Sequence, residues 1–500
     1  MIPANLLTLL LRGPQSALQR LLSRSWLLLL GLMLGLGSSP AWAGTTAIHG
    51  SAPSVGSLAL WSLPFVAILL CIALLPLIPA TAHWWEHNRS KLIVSGSLAL
   101  LVCGYYLARH TGFHGDPGFP SLLKVLHHSV IADYIPFIVL LFSLYTISGG
   151  IRLTGDVPAH PITNVTILFI GAMLASFIGT TGASMVLIRP LLQINSERKH
   201  VKHTVIFFIF LVSNVGGSLL PVGDPPLFLG YLKGVPFLWT LQLWPVWLTG
   251  VSILLAIYWF LDSYFHKKED QASLQLDETT LEPLRLQGKI NMLLLAAVVL
   301  AVGILVPGRP FPGTSFVIPN YLREIVQLAL CGLSMVLTSK QIRTDNQFNF
   351  TAIGEVACLF IGIFITMQVP IELLNIKGPD LGLSSPLHFF WGTGMLSSFL
   401  DNAPTYVVFF ETAKTLPMVP GAEMLTLPGG ALISVPLLKA IALGSVFMGA
   451  NTYIGNGPNF LVKSIAEDRG VKMPSFFGYM AWSCAILIPT FILITFIFFR

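Results

Sequence analysis

An apolar run from Pro386 to Phe410 is broken in its middle by Ser398-Phe399-Leu400-Asp401-Asn402-Ala403-Pro404-Thr405. A carboxylate at the centre of a membrane helix costs ~2.5–3.5 kcal/mol on insertion scales, so such a group faces a cavity and acts there. The proline cuts the backbone ladder, and the freed groups need protein or water around them. The stretch therefore reads as the tip of a re-entrant hairpin that lines an ion or solute site.

The rest of the chain fits a bilayer. It has 500 residues, 54% hydrophobic and 10% charged, with mean hydropathy +0.77. A soluble domain carries about 25% charged residues. Repeated apolar runs of about 18 or more residues specify an all-α polytopic membrane protein, and their continuity argues against a β-barrel. The net charge of +6 reports topology here and does not call for nucleic acid. Cys71, Cys103, Cys331, Cys358 and Cys484 all lie inside apolar runs without ligand spacing, and read as packing residues. Residues 1–43 read as a signal peptide. Arg12, Arg20 and Arg24 precede the run Trp26 to Leu36, and Ala41-Trp42-Ala43 gives the cleavage pattern; an uncleaved signal anchor is the alternative.

Spans are expected at Leu58–Ala80, Leu92–Ala108 and Ile131–Ile151, with a polar loop Arg109–His128 between the last two. Val165–Ile178 and Met185–Leu192 flank Gly179-Thr180-Thr181-Gly182-Ala183-Ser184. Neither arm reaches the ~20 residues of a crossing, so this is a second hairpin. Thr204–Leu232 is interrupted by Ser213-Asn214-Val215-Gly216-Gly217-Ser218 and Pro221-Val222-Gly223-Asp224-Pro225-Pro226; Phe237–Phe265 is continuous. The polar stretch His266–Lys289 reads as a cytoplasmic linker. The order then repeats: Ile290–Val306, Tyr321–Ser339, Phe350–Leu374, the hairpin Pro386–Thr415, Val435–Ile465 broken at Asn451-Thr452-Tyr453-Ile454-Gly455-Asn456-Gly457-Pro458-Asn459, and Phe476–Phe499. Residues 58–265 and 290–500 are thus two repeats with an odd number of crossings each, which forces opposite orientations, the inverted-repeat plan of secondary transporters. The Lys and Arg distribution places both the mature N-terminus and the C-terminus in the periplasm of a bacterial inner membrane.

The two tips and two broken spans collect oxygen ligands. Thr180, Thr181 and Ser184 face Asp401, Asn402 and Thr405, and Ser213, Asn214, Asn451, Thr452, Asn456 and Asn459 come from the breaks. Unwound carbonyls suit cations, and half-helix N-termini suit anions. An all-oxygen set with carboxylates suits a hard monovalent cation or a proton relay. Asp401 is the first candidate, with a helix N-cap as its bland reading; Asp224 is the second, with a turn carboxylate as its bland reading. Na+ would sit at Asp401, Asn402 and Asn451, and protons would pass by Asp401, Asp224 and Glu355. Glu355 has pairing within the bundle as its alternative. Arg189 and Glu411 occupy the second arms; Asp133 and the pair His127-His128 read as solvated. Walker A, Gly-x-Ser-x-Gly and His-Glu-x-x-His patterns are missing from the sequence, so neither an enzyme nor an ATP-driven pump is indicated, and no cofactor.

These residues resemble the ion transporter superfamily branch that holds NhaD-type sodium/proton antiporters, arsenite permeases, citrate transporter-like proteins and the pink-eyed-dilution melanosomal protein. Ser398 to Thr405 is similar to its Asp-Asn-x-Pro signature, Gly179 to Ser184 to its first tip, and Ser213–Pro226 and Asn451–Gly455 to its broken spans. The resemblance implies a homodimer with a scaffold and a transport domain that moves as an elevator, with the tips and breaks forming the site. Two departures bear on substrate. The Ser-Asn-Thr pattern of the dicarboxylate/sodium relatives is unmatched at both tips, and Asp224 stands where those relatives commonly carry a neutral residue. The expected function is Na+/H+ antiport with Asp401 binding Na+ when ionised and a proton otherwise. The alternative is Na+- or H+-coupled transport of citrate or a dicarboxylate; export of arsenite or another anion is a further option.

Overall fold

The computed structural model describes residues 54–109, 117–279, 281–417 and 423–499. The signal peptide expected at 1–43 lies outside them. Among the described residues, six helical segments are long and apolar enough to cross a membrane, and one bent pair makes a seventh.

Helices α1 (Val55–Trp61) and α2 (Leu63–Leu74) form the first segment. Ser62 at their junction turns its hydroxyl back onto Leu58 O at 2.7 Å. The short α3 (Pro79–Trp85) and the long α4 (Asn88–Ala108) follow. Next come α5 (Phe119–Leu126), a π turn over His127–Tyr134, and α6 (Ile135–Ser148). The helix therefore starts at Phe119, inside the stretch expected to be loop, because the glycines and prolines end at Pro120. Asp133 is a second correction: it is 7% exposed inside the π turn, and His128 Nδ1 lies 3.6 Å from it.

The first hairpin is α7 (Pro161–Ile178) and α8 (Thr180–Ile194). Its first arm has 18 residues and, against expectation, is one of the six segments long and apolar enough to cross a membrane, because Pro161 starts the helix ahead of the apolar run. A single residue, Gly179 at φ 80°, makes the turn, a conformation that glycine adopts without strain. Asn164 and Asn195 at the open ends exchange two amide hydrogen bonds of 2.9 Å, so both ends lie side by side. The first broken span is α9 (Lys202–Leu211), an irregular turn, and α10 (Pro225–Leu232). After it come α11 (Trp244–His266, preceded by a 3-10 turn) and α12 (Gln271–Thr279).

The linker is folded rather than plain coil. Strand β2 (Glu282–Gln287) pairs antiparallel with β1 (Arg152–Asp156), with Leu153 opposite Leu286. The second half has α13 (Ile290–Ile304), α14 (Leu322–Leu337), α15 (Lys340–Asp345), and α16 (Thr351–Thr366) with α17 (Gln368–Lys377). The last two were expected as one span and meet at a 40° bend. Pro370 in the first turn of α17 cannot donate to the ladder there. The second hairpin is α18 (Pro386–Ser397) and α19 (Asn402–Lys414). Its arms touch through Phe389 and Phe409, ring centres 6.1 Å apart. A small hairpin, β3 (Met424–Thr426) and β4 (Leu432–Ser434), leads to α20 (Val435–Met448), a second break, α21 (Gly457–Asp468) and α22 (Phe476–Phe498).

Glycine contacts seat the hairpins on the broken spans. A Cβ at Gly216 would meet Ala172 Cα at 2.6 Å, and one at Gly444 would meet Phe390 O at 2.5 Å. α10 and α19 also lie side by side: a Cβ at Gly230 would meet the Tyr406 hydroxyl at 2.2 Å. Their C-terminal ends are joined by Lys233 and Glu411 at 2.9 Å.

Candidate functional site

Both breaks are built alike. Gly217 precedes Gly223-Asp224-Pro225-Pro226, and Gly449 precedes Gly455-Asn456-Gly457-Pro458 at the same spacing. A Cβ at Gly223 would lie 2.3 Å from Gly217 O, and one at Gly455 would lie 2.6 Å from Gly449 O. The residue after each glycine caps a half-helix in nearly the same conformation: Asp224 has φ −144°, ψ 143°, and Asn456 has φ −152°, ψ 139°. Pro225 and Pro226 bring no N–H to the first turn of α10, and the Asp224 side chain makes no cap bond there. Its carboxylate is therefore free to accept from elsewhere.

It accepts from three other elements. Thr180 Oγ1 donates to Oδ1 at 2.8 Å, Asn402 Nδ2 to Oδ2 at 2.5 Å, and Asn456 Nδ2 to Oδ1 at 3.3 Å. Thr180 and Asn402 are the first residues of α8 and α19, and Asn456 caps α21. Four half-helix N-termini thus converge on one carboxylate that is 2% exposed. Each N-terminus carries roughly half a positive charge, so helix dipoles and side-chain donors face this carboxyl group. The arrangement brings together both tips and both breaks.

Amides carry the contact further. Asn214 donates to Asn459 Oδ1 at 2.7 Å, and Asn456 donates to Asn214 Oδ1 at 3.2 Å and to Ser213 O at 3.0 Å. Asn459 returns two bonds of 2.9 Å to Gly449 O and Thr452 O. Ser184 and Ser213 share a hydroxyl bond of 2.9 Å. On the other side, Asn451 Nδ2 donates to Ser398 Oγ at 2.9 Å and Thr452 Oγ1 to Ser398 O at 2.5 Å. Two buried acceptors, Asn402 Oδ1 and Asn451 Oδ1, have no hydrogen-bond partner. Unmade bonds to buried acceptors cost ~1–3 kcal/mol each, and such oxygens suit a hard cation.

The remaining expected residues take different places. Asp401 is half-buried and caps α19, accepting from Ala403 N at 3.0 Å, while its main-chain oxygen accepts from Thr405 Oγ1 at 3.0 Å. Thr181 is half-buried beside Thr180. Glu355 pairs with Lys91 of α4 at 2.8 Å, on elements that supply nothing to the Asp224 cluster. Arg189 Nη2 reaches Gln347 Oε1 at 3.4 Å, away from the tips. Sequence reading missed Ser176, which ties the first arm to its break by a 2.5 Å bond to Gly216 O, and Ser397, which ties α18 to the last turn of α20 by a 2.6 Å bond to Ser445 O. Their signal is a serine three residues before Gly179 and another four residues before Asp401. It also missed Lys233 as the partner of Glu411.

No curated protein matches the chain. A family model described as "Putative citrate transport" matches residues 55–499. That range takes in both hairpins, both breaks and every residue around Asp224, and the chain belongs to this citrate-transport family.

Proposed function

We propose that the chain is a secondary transporter that moves citrate or a related carboxylate together with Na+ or H+. The family match supports carboxylate transport and gives no support to Na+/H+ antiport, so the alternative drawn from the sequence becomes the leading reading. The observation that carries the coupling is Asp224, a buried carboxylate held by neutral donors and helix N-termini. A carboxylate substrate about 4 Å away would be repelled by ~4 kcal/mol at an effective dielectric of 20. A cation or proton on Asp224 removes that repulsion, which is a physical reason for the two to travel together.

In this reading Asp224, Asp401, Asn402 and Asn451 offer oxygens to the cation. Thr181 and the N-termini of α8 and α19 offer donors to the substrate, while Thr180 and Asn456 hold Asp224. Residues 58–265 and 290–500 act as two inverted halves of five crossings each, joined by 266–289, in a homodimer that works as an elevator. The membrane is a bacterial inner membrane with both mature termini in the periplasm.

The test is flux in proteoliposomes. Labelled citrate should accumulate under an imposed Na+ or proton gradient and not without one. Gradient-driven Na+/H+ exchange in the absence of any carboxylate, with no uptake across citrate and dicarboxylates, would refute the proposal.

A further inference from the structure

The geometry points to an anionic phospholipid site on the outer face of α11 and α22: an acyl chain in the groove between them, the headgroup on the lysines at its end. The groove is open to the outside and has a volume of about 750 Å³. Ile257, Leu261 and Tyr264 wall it from α11, while Gly478, Ala481 and Ala485 form its floor on α22. Those three small residues stand at i, i+3 and i+7, one face of the helix. Both helices are long and apolar enough to cross a membrane, and Phe260, also lining the groove, is 67% exposed.

The helices run antiparallel. A Cβ at Gly250 would lie 3.5 Å from Ile494, whereas Tyr264 meets the groove with Gly478 at its other end. That second end is basic. Lys268, one turn beyond Tyr264, donates to the Tyr264 hydroxyl at 2.6 Å and stands 4.3 Å from its ring centre. Lys267, Lys268 and Lys472, the last just ahead of α22, are all exposed. The carboxylates next to Lys267 and Lys268 are engaged elsewhere: Asp270 with Lys199, and Glu269 with His200 and the N–H groups of Lys199 and His200. Trp482 and Tyr264 line the groove as amphipathic rings, suited to a membrane–water boundary.

An apolar trough with exposed lysines on both segments that meet at one end matches an acyl chain below a negative headgroup. A second copy of the chain fits less well. Around a two-fold axis along the membrane normal it would bring its own Lys267, Lys268 and Lys472 to the same depth, against the first set.

The full-length protein in detergent would be incubated with equal amounts of phosphatidylglycerol and phosphatidylcholine, and retained lipids counted by native mass spectrometry. The wild type should retain phosphatidylglycerol several-fold over phosphatidylcholine. The triple change Lys267→Gln, Lys268→Gln, Lys472→Gln should bring the two to parity. Ala481→Phe, which fills the floor, should reduce retention of both at unchanged thermal stability. Equal retention of the two lipids by the wild type, or wild-type retention by Ala481→Phe, would overturn the assignment. So would conversion of a dimer to a monomer by Ala481→Phe with lipid retention unchanged, since the groove would then belong to a second copy.

Discussion

Replacing Asp224 by Asn removes the capacity to carry a negative charge and almost nothing else. The oxygen of the new amide can still accept from Thr180 and Asn456, which now hold Oδ1 at 2.8 Å and 3.3 Å. Its nitrogen would oppose Asn402 Nδ2, which now stands 2.5 Å from Oδ2. Half a turn of the Asn402 amide resolves this, because its own Oδ1 is without a partner and can accept. The hydrogen bonds are conserved in number, so the stability change should stay within ~1 kcal/mol. The cation loses more. A unit charge about 4 Å from the carboxylate interacts by ~4 kcal/mol at an effective dielectric of 20. That is about a thousandfold in affinity, at ~1.4 kcal/mol per factor of ten. The assay is the initial rate of citrate uptake into proteoliposomes against Na+ concentration and pH, with thermal unfolding as the control. Half-saturation by Na+ should rise by orders of magnitude. If the coupling ion is a proton, Asn mimics the protonated acid, and the pH dependence of uptake should vanish. Asp401→Asn is the comparison, because Asn caps a helix as well as Asp does. Wild-type Na+ dependence together with a wild-type pH profile in Asp224→Asn would refute the role of Asp224.

Three further outcomes are expected. Glu411→Gln leaves Lys233 and Lys414 facing each other where the carboxylate stood 2.9 Å and 2.7 Å away; this should destabilise by ~3–5 kcal/mol, read by thermal unfolding, with recovery when Lys233→Met is added. Gly216→Ala and Gly223→Ala place a methyl 2.6 Å from Ala172 and 2.3 Å from Gly217 O, main-chain atoms that cannot turn aside; each should cost at least ~1–3 kcal/mol and abolish uptake before fold. Burial pushes the Glu269 carboxyl up, but the N–H groups of Lys199 and His200 and the His200 ring outweigh it and hold it below the usual range. Its contribution is complete above the unfolded value near ~4.3 and is lost as pH falls through the lower folded value. Thermal unfolding of the wild type should therefore lose stability below about pH 4.3, and Glu269→Gln should lose less.

Local chemistry made much of this legible. The breaks at 213–226 and 451–459 announce themselves because Gly, Pro and Asn interrupt apolar runs, and the hairpin tips do so for the same reason. What stayed hidden depends on long-range contact. Asp224 looks like a turn residue until Thr180, Asn402 and Asn456 arrive from 44, 178 and 232 positions away. Asp401 stood out because it interrupts an apolar run, yet its side chain accepts from Ala403 N, two residues on. The pairing of Arg152–Asp156 with Glu282–Gln287 joins two segments that read as loop and linker, and neither alternates strongly enough to suggest a strand. Phe119 begins a helix directly after a Gly/Pro/His stretch, so the buried Asp133 was placed near solvent. Glu355, weighed as a relay, has its Lys91 partner 264 residues earlier in the chain.

The most direct test of coupling at Asp224 is equilibrium binding of citrate to the purified protein, titrated at several Na+ concentrations and pH values. Linkage requires that a cation which strengthens citrate binding be strengthened by citrate to the same factor. Citrate affinity should rise with Na+ or with falling pH, and Asp224→Asn should flatten that dependence. Citrate affinity independent of both ions in the wild type would contradict the account.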